Sequence, residues 1–300
     1  MELWILVTLL AAAFQTLRFT LQKVLRMGAL STFGATFARF AYSAPLVAFA
    51  LAAYLAAAGG GLPATGALFW AYALAGGTAQ VLATACVVAL FGARNFAVGI
   101  TFKKTEVVQT AVVGLALLGE RISWAAFAAI LLGLFGVWLL SAAPGEVMRG
   151  WRRLANRAAA LGLGSGFLFA ISSVCYRGAT LEVASDDPLL RAGVTLAAVT
   201  AAQMIGMALY LRAREPGQLA AVWRARRVAL WVGLSSMAGS FCWFLAFTLQ
   251  TAALVKAVGQ VELIFSLAVT VLVFRERVSR TELAGIALLS ASVVSLVLVA

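Results

Sequence analysis

The sequence contains no histidine, and its 300 residues include only 11 acidic residues, five prolines and three cysteines. Histidine is the commonest metal ligand and the usual proton shuttle near neutral pH, so its absence argues against a metal centre or histidine-based catalysis. Cys86, Cys175 and Cys242 lie in separate apolar stretches without a CxxC pair, which argues against a disulfide framework or a zinc site. The sequence contains no Walker motif, the pattern that would indicate use of ATP. We therefore expect no metal, no other cofactor and no enzymatic activity.

Charged residues are also scarce, at 11% of the chain, whereas a soluble domain carries about 25% to cover its surface. Hydrophobic residues make up 63% of the chain, and the mean hydropathy is +1.00. A chain this apolar requires lipid as its solvent. The composition therefore predicts an integral membrane protein.

The few charges that are present are mostly positive, giving a net charge of +12 and a pI near 10.6. In a soluble protein this balance would raise the question of nucleic-acid binding. No helix-turn-helix or zinc-finger spacing supports that interpretation. We instead expect membrane lipids as partners, because basic loops face the cytoplasm and its anionic lipids.

Apolar stretches long enough to cross a bilayer recur along the whole chain, each providing the required length of about 20 residues. The connections between them are short, and the two longest, 144–156 and 212–227, are rich in arginine and tryptophan, as is typical of a membrane interface. The first stretch lacks a preceding basic segment, so we expect it to remain as a helix rather than to be cleaved as a signal peptide. The sequence predicts an all-α integral membrane protein with ten transmembrane helices, at 3–24, 33–57, 67–91, 95–118, 123–142, 157–178, 188–211, 228–249, 252–274 and 281–299.

The loops alternate in charge along the chain. Loops on one side contain most of the basic residues, among them Lys23, Arg94 and Arg152, whereas the opposite loops include the acidic Glu182 and Asp186. Because basic loops stay in the cytoplasm, we expect both termini to be periplasmic in a bacterial inner (plasma) membrane. Residues 146–156 then form a basic cytoplasmic linker.

An internal repeat divides the chain in two. A shift of 156 residues aligns 70–141 with 226–297 without a gap. Matching apolar residues would carry little information in such a chain, but the alignment also matches glycine, cysteine, serine and buried glutamate positions. The matched pairs are Gly77 with Gly233, Cys86 with Cys242, Glu106 with Glu262, Glu120-Arg121 with Glu276-Arg277, and Ser123 with Ser279.

Each half, 1–145 and 157–300, contains five predicted spans. Because five is an odd number, the second half enters the membrane with the opposite orientation. Inverted repeats of this kind are typical of secondary transporters, whose substrate site lies near the membrane midplane between the repeats. A duplicated scaffold without transport activity is the alternative interpretation.

The turn between the fourth and fifth spans resembles a known family. Gly119-Glu120-Arg121-Ile122-Ser123, followed by Gly133 and Gly136, is similar to the end of an EamA domain, and Phe274-Arg275-Glu276-Arg277-Val278-Ser279 repeats it with Arg275 in place of the usual glycine. The resemblance covers nearly the whole chain as two EamA repeats. It suggests membership of the drug/metabolite transporter superfamily.

The resemblance implies a ten-helix exporter or exchanger with a central cavity between helices 3, 4, 8 and 9, around which helices 1, 2, 6 and 7 rock. One departure from the family pattern concerns Glu106 and Glu262, which stand where many members have proline. Two glutamates imply a more ionic cavity than that of a generic drug exporter.

The fourth span contains charged residues within an apolar stretch. An ionisable side chain within the bilayer costs several kcal/mol unless it faces water or a partner, so these charges indicate a cavity or an ion pair. Lys103, Glu106 and Thr110 share one helix face, and Lys103 can pair with Glu106 across one turn. We predict that they line a substrate cavity; mutual neutralisation for packing is the alternative. Lys104 lies about 100° away and is expected to extend towards the interface.

The ninth span contains the matching set. Lys256 and Gln260 are one helical turn apart, and Glu262 lies about 120° round the helix. We predict that these three side chains also line the cavity, with Glu262 facing Glu106 across the axis relating the repeats. Buried carboxyl groups can bind protons near neutral pH, so Glu106 and Glu262 are our candidates for proton coupling.

Polar side chains in other spans are further candidates. Gln15, Arg18 and Gln22 lie on one face of the first span, where contact with substrate and hydrogen bonding between helices are equally open. Arg39 in the second span is a candidate for substrate binding and for pairing with a glutamate. Trp243 in the eighth span could form an apolar wall of the site or pack in the ordinary way.

These observations favour a secondary active transporter, exporter or exchanger, that moves a small polar metabolite such as an amino acid or organic anion by alternating access. A phosphorylated-solute antiporter is an alternative, with Lys103 and Lys256 as anion ligands. We expect a proton gradient or a substrate gradient to supply the energy, and the protein to be a monomer or homodimer. We also expect the Glu120 and Glu276 turns to cap the fifth and tenth helices with Ser123 and Ser279.

Overall fold

The chain is almost entirely helical in the computed structural model, which describes residues 2–27, 30–90, 103–141, 157–265, 268 and 280–299. Over these ranges no β-strand is formed, and Thr65 and Val183 make an isolated antiparallel bridge. The helices are α1 (Leu3–Met27), α2 (Thr32–Ala58), α3 (Ala67–Leu90), α4 (Glu106–Leu118), α5 (Trp124–Ser141), α6 (Arg157–Leu181), α7 (Pro188–Arg214), α8 (Gln218–Arg224), α9 (Arg226–Leu249), α10 (Ala252–Val258) and α11 (Arg280–Val299).

Six of these helices, α1, α2, α3, α6, α7 and α9, are long and apolar enough to cross a membrane. Large apolar side chains cover the outside of the molecule: Phe49 is 75% exposed and Trp124 is 87% exposed. An exterior of this kind is suited to lipid rather than water. The prediction of an all-α membrane protein is confirmed at this level.

Several helices begin and end at residues that favour helix termination. Ser31 precedes α2 and accepts a hydrogen bond from the backbone N–H of Gly34, while Asp187 precedes α7 and accepts one from Leu189. Gly59 and Gly119 follow α2 and α4 with positive φ angles of 66° and 65°, a conformation that favours glycine.

The helices pack mainly against helices from the other half of the chain: α1 with α9, α3 with α6, α2 with α7, and α5 with α11. Glycines allow close approach at these contacts. A Cβ atom at Gly233 in α9 would lie 2.4 Å from the Cβ of Tyr42 in α2, and one at Gly136 in α5 would lie 2.9 Å from the carbonyl oxygen of Gly285 in α11. The two halves therefore share one interior.

Connections meet at two opposite ends of the molecule. At one end Thr65 pairs with Val183, so the loop before α3 lies beside the loop before α7. At the other end the backbone N–H of Ser31 donates to Gln218 of α8 over 2.9 Å, and the Ser31 hydroxyl contacts the Glu215 carboxylate.

Apart from the two interrupted spans described below, the predicted spans agree with the observed helix ends to within three residues. Two features differ. The connection 212–227, predicted as polar loop, contains α8, and the predicted spans 95–118 and 252–274 are interrupted near their middles. The linker 146–156, the turn 274–279 with Glu276 and Ser279, and the side chain of Lys23 lie outside what the structure describes.

Candidate functional site

Two interrupted helices place the two glutamates, of which Glu106 is buried and Glu262 is partly buried. Lys104 and Thr105 form a turn immediately before α4, which begins at Glu106, and Gly259–Val261 form a 3₁₀ turn immediately before Glu262. The repeat offset of 156 residues relates these turns to each other. Interruptions within membrane helices expose backbone groups and commonly line binding sites.

The carboxylate of Glu106 is held between two lysines. The Nζ atom of Lys256 lies 2.6 Å from Oε1, and the Nζ atom of Lys103 lies 3.3 Å from Oε2. The contact across one turn to Lys103 is the one that the sequence spacing predicts. The contact to Lys256 joins α10 of the second half to α4 of the first.

Aromatic rings surround the ammonium group of Lys256. Its Nζ atom lies 4.8 Å from the ring centre of Trp243, 5.6 Å from that of Phe169 and 5.9 Å from that of Phe247. Ammonium groups are attracted to aromatic faces at these distances. Trp243 and Phe247 stack with ring centres 5.7 Å apart.

Glu262 contacts the first half of the chain. Its Oε2 accepts a 2.6 Å hydrogen bond from Gln15 of α1, and the Nζ atom of Lys104 lies 3.9 Å from the same oxygen. The expectation that Lys104 extends towards the interface is wrong, because Lys104 is buried beside Glu262. Gln15 in turn accepts a 3.1 Å hydrogen bond from the indole N–H of Trp243.

A small cavity lies between the two halves. It is formed by side chains of α1, α2, α3, α6, α9 and α10, so both halves contribute to it. Its lining is polar and aromatic and includes three cationic groups. The lining residues are Gln15, Arg18, Arg39, Gln80, Phe169, Ser172, Ser173, Tyr176, Ser236, Gly239, Ser240, Trp243, Phe244, Phe247 and Lys256.

Arg39 was expected to pair with a glutamate, but it makes no ion pair with any residue that the structure describes. Its Nε donates to Ser236 over 2.7 Å and its Nη2 donates to Ser240 over 3.0 Å, both on α9. Arg18, also in the cavity wall, donates to Gln22 over 3.1 Å and lies over the Phe19 ring. Gln22 donates to the carbonyl of Ala35 over 3.3 Å and therefore joins α1 to α2.

Six of the predicted cavity residues do not line this cavity: Gln22, Lys103, Glu106, Thr110, Gln260 and Glu262. The hydroxyl of Thr110 donates to the backbone carbonyl of Glu106 over 2.7 Å. Gln260 lines a second, smaller cavity together with Lys104 and Ser292. No group of three histidine, cysteine or acidic side chains that could hold a metal ion occurs in the described ranges.

The sequence analysis missed the small polar residues of the cavity wall, Ser172, Ser173, Ser236 and Ser240, and also Gln80 and Tyr176. Single serines are common in membrane helices, so each alone carries little signal. Gln80 was a detectable candidate, because an uncharged amide within an apolar span also requires a partner. It accepts a 3.0 Å hydrogen bond from Gln203, which also donates to Tyr176.

The turn after α4 includes the predicted cap of α5, but its glutamate has a different role from the predicted one. Ser123 caps α5 as expected, accepting a 3.1 Å hydrogen bond from the N–H of Ala126. Glu120, however, forms an ion pair with Arg177 of α6. Arg177 also donates to the carbonyls of Phe247 and Gln250, over 2.6 and 2.9 Å, and so joins both halves at this end of the molecule.

Comparison with known proteins finds similar folds but gives no information on function. No protein-family model matches the sequence, and no curated protein is significantly similar to it. A solved crystal structure superposes with a TM-score of 0.71, covering 98% of this chain and 99% of that chain at 18% sequence identity. In all, 25 solved chains match significantly. The likeness indicates that the chain has a fold already seen in solved structures.

Proposed function

We propose that this protein is a secondary active transporter of the EamA type that carries a small polar metabolite across the membrane by alternating access. The observation that carries the proposal is the charged, polar cavity between the two halves. Charged side chains within a membrane protein are costly and mark the pathways of substrates or ions. A scaffold without transport activity would have no need of them.

The proposal includes ten membrane spans arranged as two inverted repeats. Helix packing supports it, because the repeat offset relates the contact between α1 and α9 to that between α3 and α6. It also relates the approach of Gly77 towards Val199 in α7 to that of Gly233 towards Tyr42 in α2. Both termini are then periplasmic, as the distribution of basic loops predicts.

The ion pairs suggest how the two halves separate. Glu106 joins Lys256, and Glu262 joins Gln15 and Lys104, so both contacts cross between the halves. A proton or a substrate group that takes the place of either partner would break one of these contacts. Release of Lys256 from Glu106 would free α10 to move relative to α4.

The experiment is a flux measurement in proteoliposomes across a panel of amino acids, organic acids and phosphorylated solutes, with and without a pH gradient. We expect saturable uptake or exchange of at least one organic anion or amino acid. We expect Glu106→Gln and Glu262→Gln to lose the stimulation by the pH gradient. Glu182→Gln, in an exposed loop, is the matched control.

Flux indistinguishable from that of protein-free vesicles across the panel would contradict the transport proposal. Full gradient-driven transport by both glutamate variants would contradict proton coupling through these residues and leave exchange as the mode of transport.

A further inference from the structure

The cavity contains a buried guanidinium group that has no counter-charge among the described residues. Arg39 is 4% exposed, and within the described part of the chain it makes no ion pair. The lysines of the site differ, because Lys103 and Lys256 both contact Glu106 and Lys104 contacts Glu262. The anion-binding capacity of the cavity therefore lies with Arg39 rather than with the lysines.

The hydrogen bonds of Arg39 leave one edge of its guanidinium free. Nε and Nη2 donate to Ser236 and Ser240 along one side of the group. Nη1 is buried and makes no hydrogen bond to the described residues. Because each terminal nitrogen carries two hydrogens, the edge formed by Nη1 and Nη2 retains a pair of donors, the arrangement that binds a carboxylate through both oxygens.

Other hydrogen-bond donors line the same cavity as Arg39. Ser236 and Ser240 accept hydrogen bonds from Arg39 and keep their own hydroxyl hydrogens to donate. Arg18 adds a second guanidinium to the same cavity. A buried charge requires a partner, and an anionic ligand would supply it.

We propose that Arg39 is the substrate-binding group for a carboxylate, so that the transported solute is a small carboxylic acid, with Ser236 and Ser240 fixing the guanidinium for this contact. The inference deepens the proposed transport function and rests on it. Two serines on α9 hold an arginine on α2, so the carboxylate site is built from both halves of the chain.

The test is ligand binding by the detergent-purified full-length protein, measured by tryptophan fluorescence, since Trp243 lines the cavity, and by thermal stabilisation. The probes are pyruvate, succinate and glutamate, the amides of the same carbon skeletons, glycerol 3-phosphate, and chloride and sulfate salts. We expect at least one carboxylate to bind and its amide not to bind. In Arg39→Gln, the affinity for that acid should fall about tenfold or more, since one partner of a charge-assisted contact is lost.

Two further variants separate binding from folding. Arg39→Lys keeps the charge but loses the paired edge, so we expect it to bind the acid weakly while retaining the elution profile and melting temperature of the wild type. Arg191→Gln is the matched control, because Arg191 contacts the carbonyls of Thr180 and Leu181 outside the cavity.

Equal affinity for acid and amide, unchanged acid binding in Arg39→Gln, or a response to inorganic anions or glycerol 3-phosphate alone would overturn this inference, as would the absence of any response. If only the transport proposal is wrong, carboxylate binding will still depend on Arg39, but no flux will occur in vesicles. Conversely, flux of a solute without a carboxylate would support transport and overturn the carboxylate site.

Discussion

At the scale of single residues, the centre of the molecule is the carboxylate of Glu106 between two ammonium groups. A buried ion pair adds little net stability, because removing its charges from water costs about as much as their attraction returns. Loss of one partner is different, since the remaining charges are left buried and unpaired. Glu106 is 2% exposed, so little solvent is available to screen Lys103 and Lys256 in its absence.

We therefore expect Glu106→Gln to lower the free energy of unfolding by about 3–5 kcal/mol. The measurement is the thermal unfolding midpoint in detergent. Adding Lys256→Met removes one of the unpaired charges and should restore part of the loss, while Glu182→Gln alone should behave as wild type. An unchanged midpoint in Glu106→Gln would show that the two lysines do not depend on this carboxylate.

The sequence predicted one of the two contacts of Glu106. Lys103 is three residues away on the same helix, and spacing along a helix is sufficient to bring such side chains together. Lys256 is distant in sequence, and its contact depends on how α10 packs against α4. The serine partners of Arg39 were missed for the same reason, because their contact depends on how α9 packs against α2.

At the scale of helices, hydropathy predicted most of the described helix ends well, and six of the described helices are long and apolar enough to cross a membrane. It did not predict the interruptions before Glu106 and Glu262. The segment Lys103-Lys104-Thr105 contains neither glycine nor proline, the residues that usually indicate an interruption of a helix. The close pairing of α5 with α11 was also not visible, although Gly133 and Gly136 lie at that contact.

Gly136→Ala tests whether this pairing is as close as the backbone positions indicate. A Cβ atom there would lie 2.9 Å from two backbone atoms, Gly285 O and Leu289 N, and backbone cannot move aside as a side chain can. We expect a destabilisation of about 1–3 kcal/mol from overpacking, measured as thermal unfolding in detergent. Gly206→Ala in α7 has nothing within 4 Å and should be neutral or stabilising. Equal behaviour of the two variants would contradict the close contact.

At the scale of the whole molecule, the two halves contribute to one cavity and are joined through it. Arg39 with Ser236, Gln15 with Glu262, and Glu106 with Lys256 each link one half to the other. At one end of the molecule Arg177 adds a further link through Glu120 and the end of α9. Alternating access would break some of these links in each direction and re-form them in the other.

Accessibility of the cavity from both sides of the membrane tests alternating access most directly. Cys86, Cys175 and Cys242 are first replaced by serine, and Ser173→Cys then places one thiol in the cavity wall. A charged, membrane-impermeant thiol reagent is added to either face of oriented vesicles. Leu209→Cys, on the exposed apolar surface, is the control for reaction through lipid. We predict that the thiol at position 173 reacts from either face and that a transported solute slows both reactions, whereas reaction from one face only, or from neither, would contradict transport through this cavity.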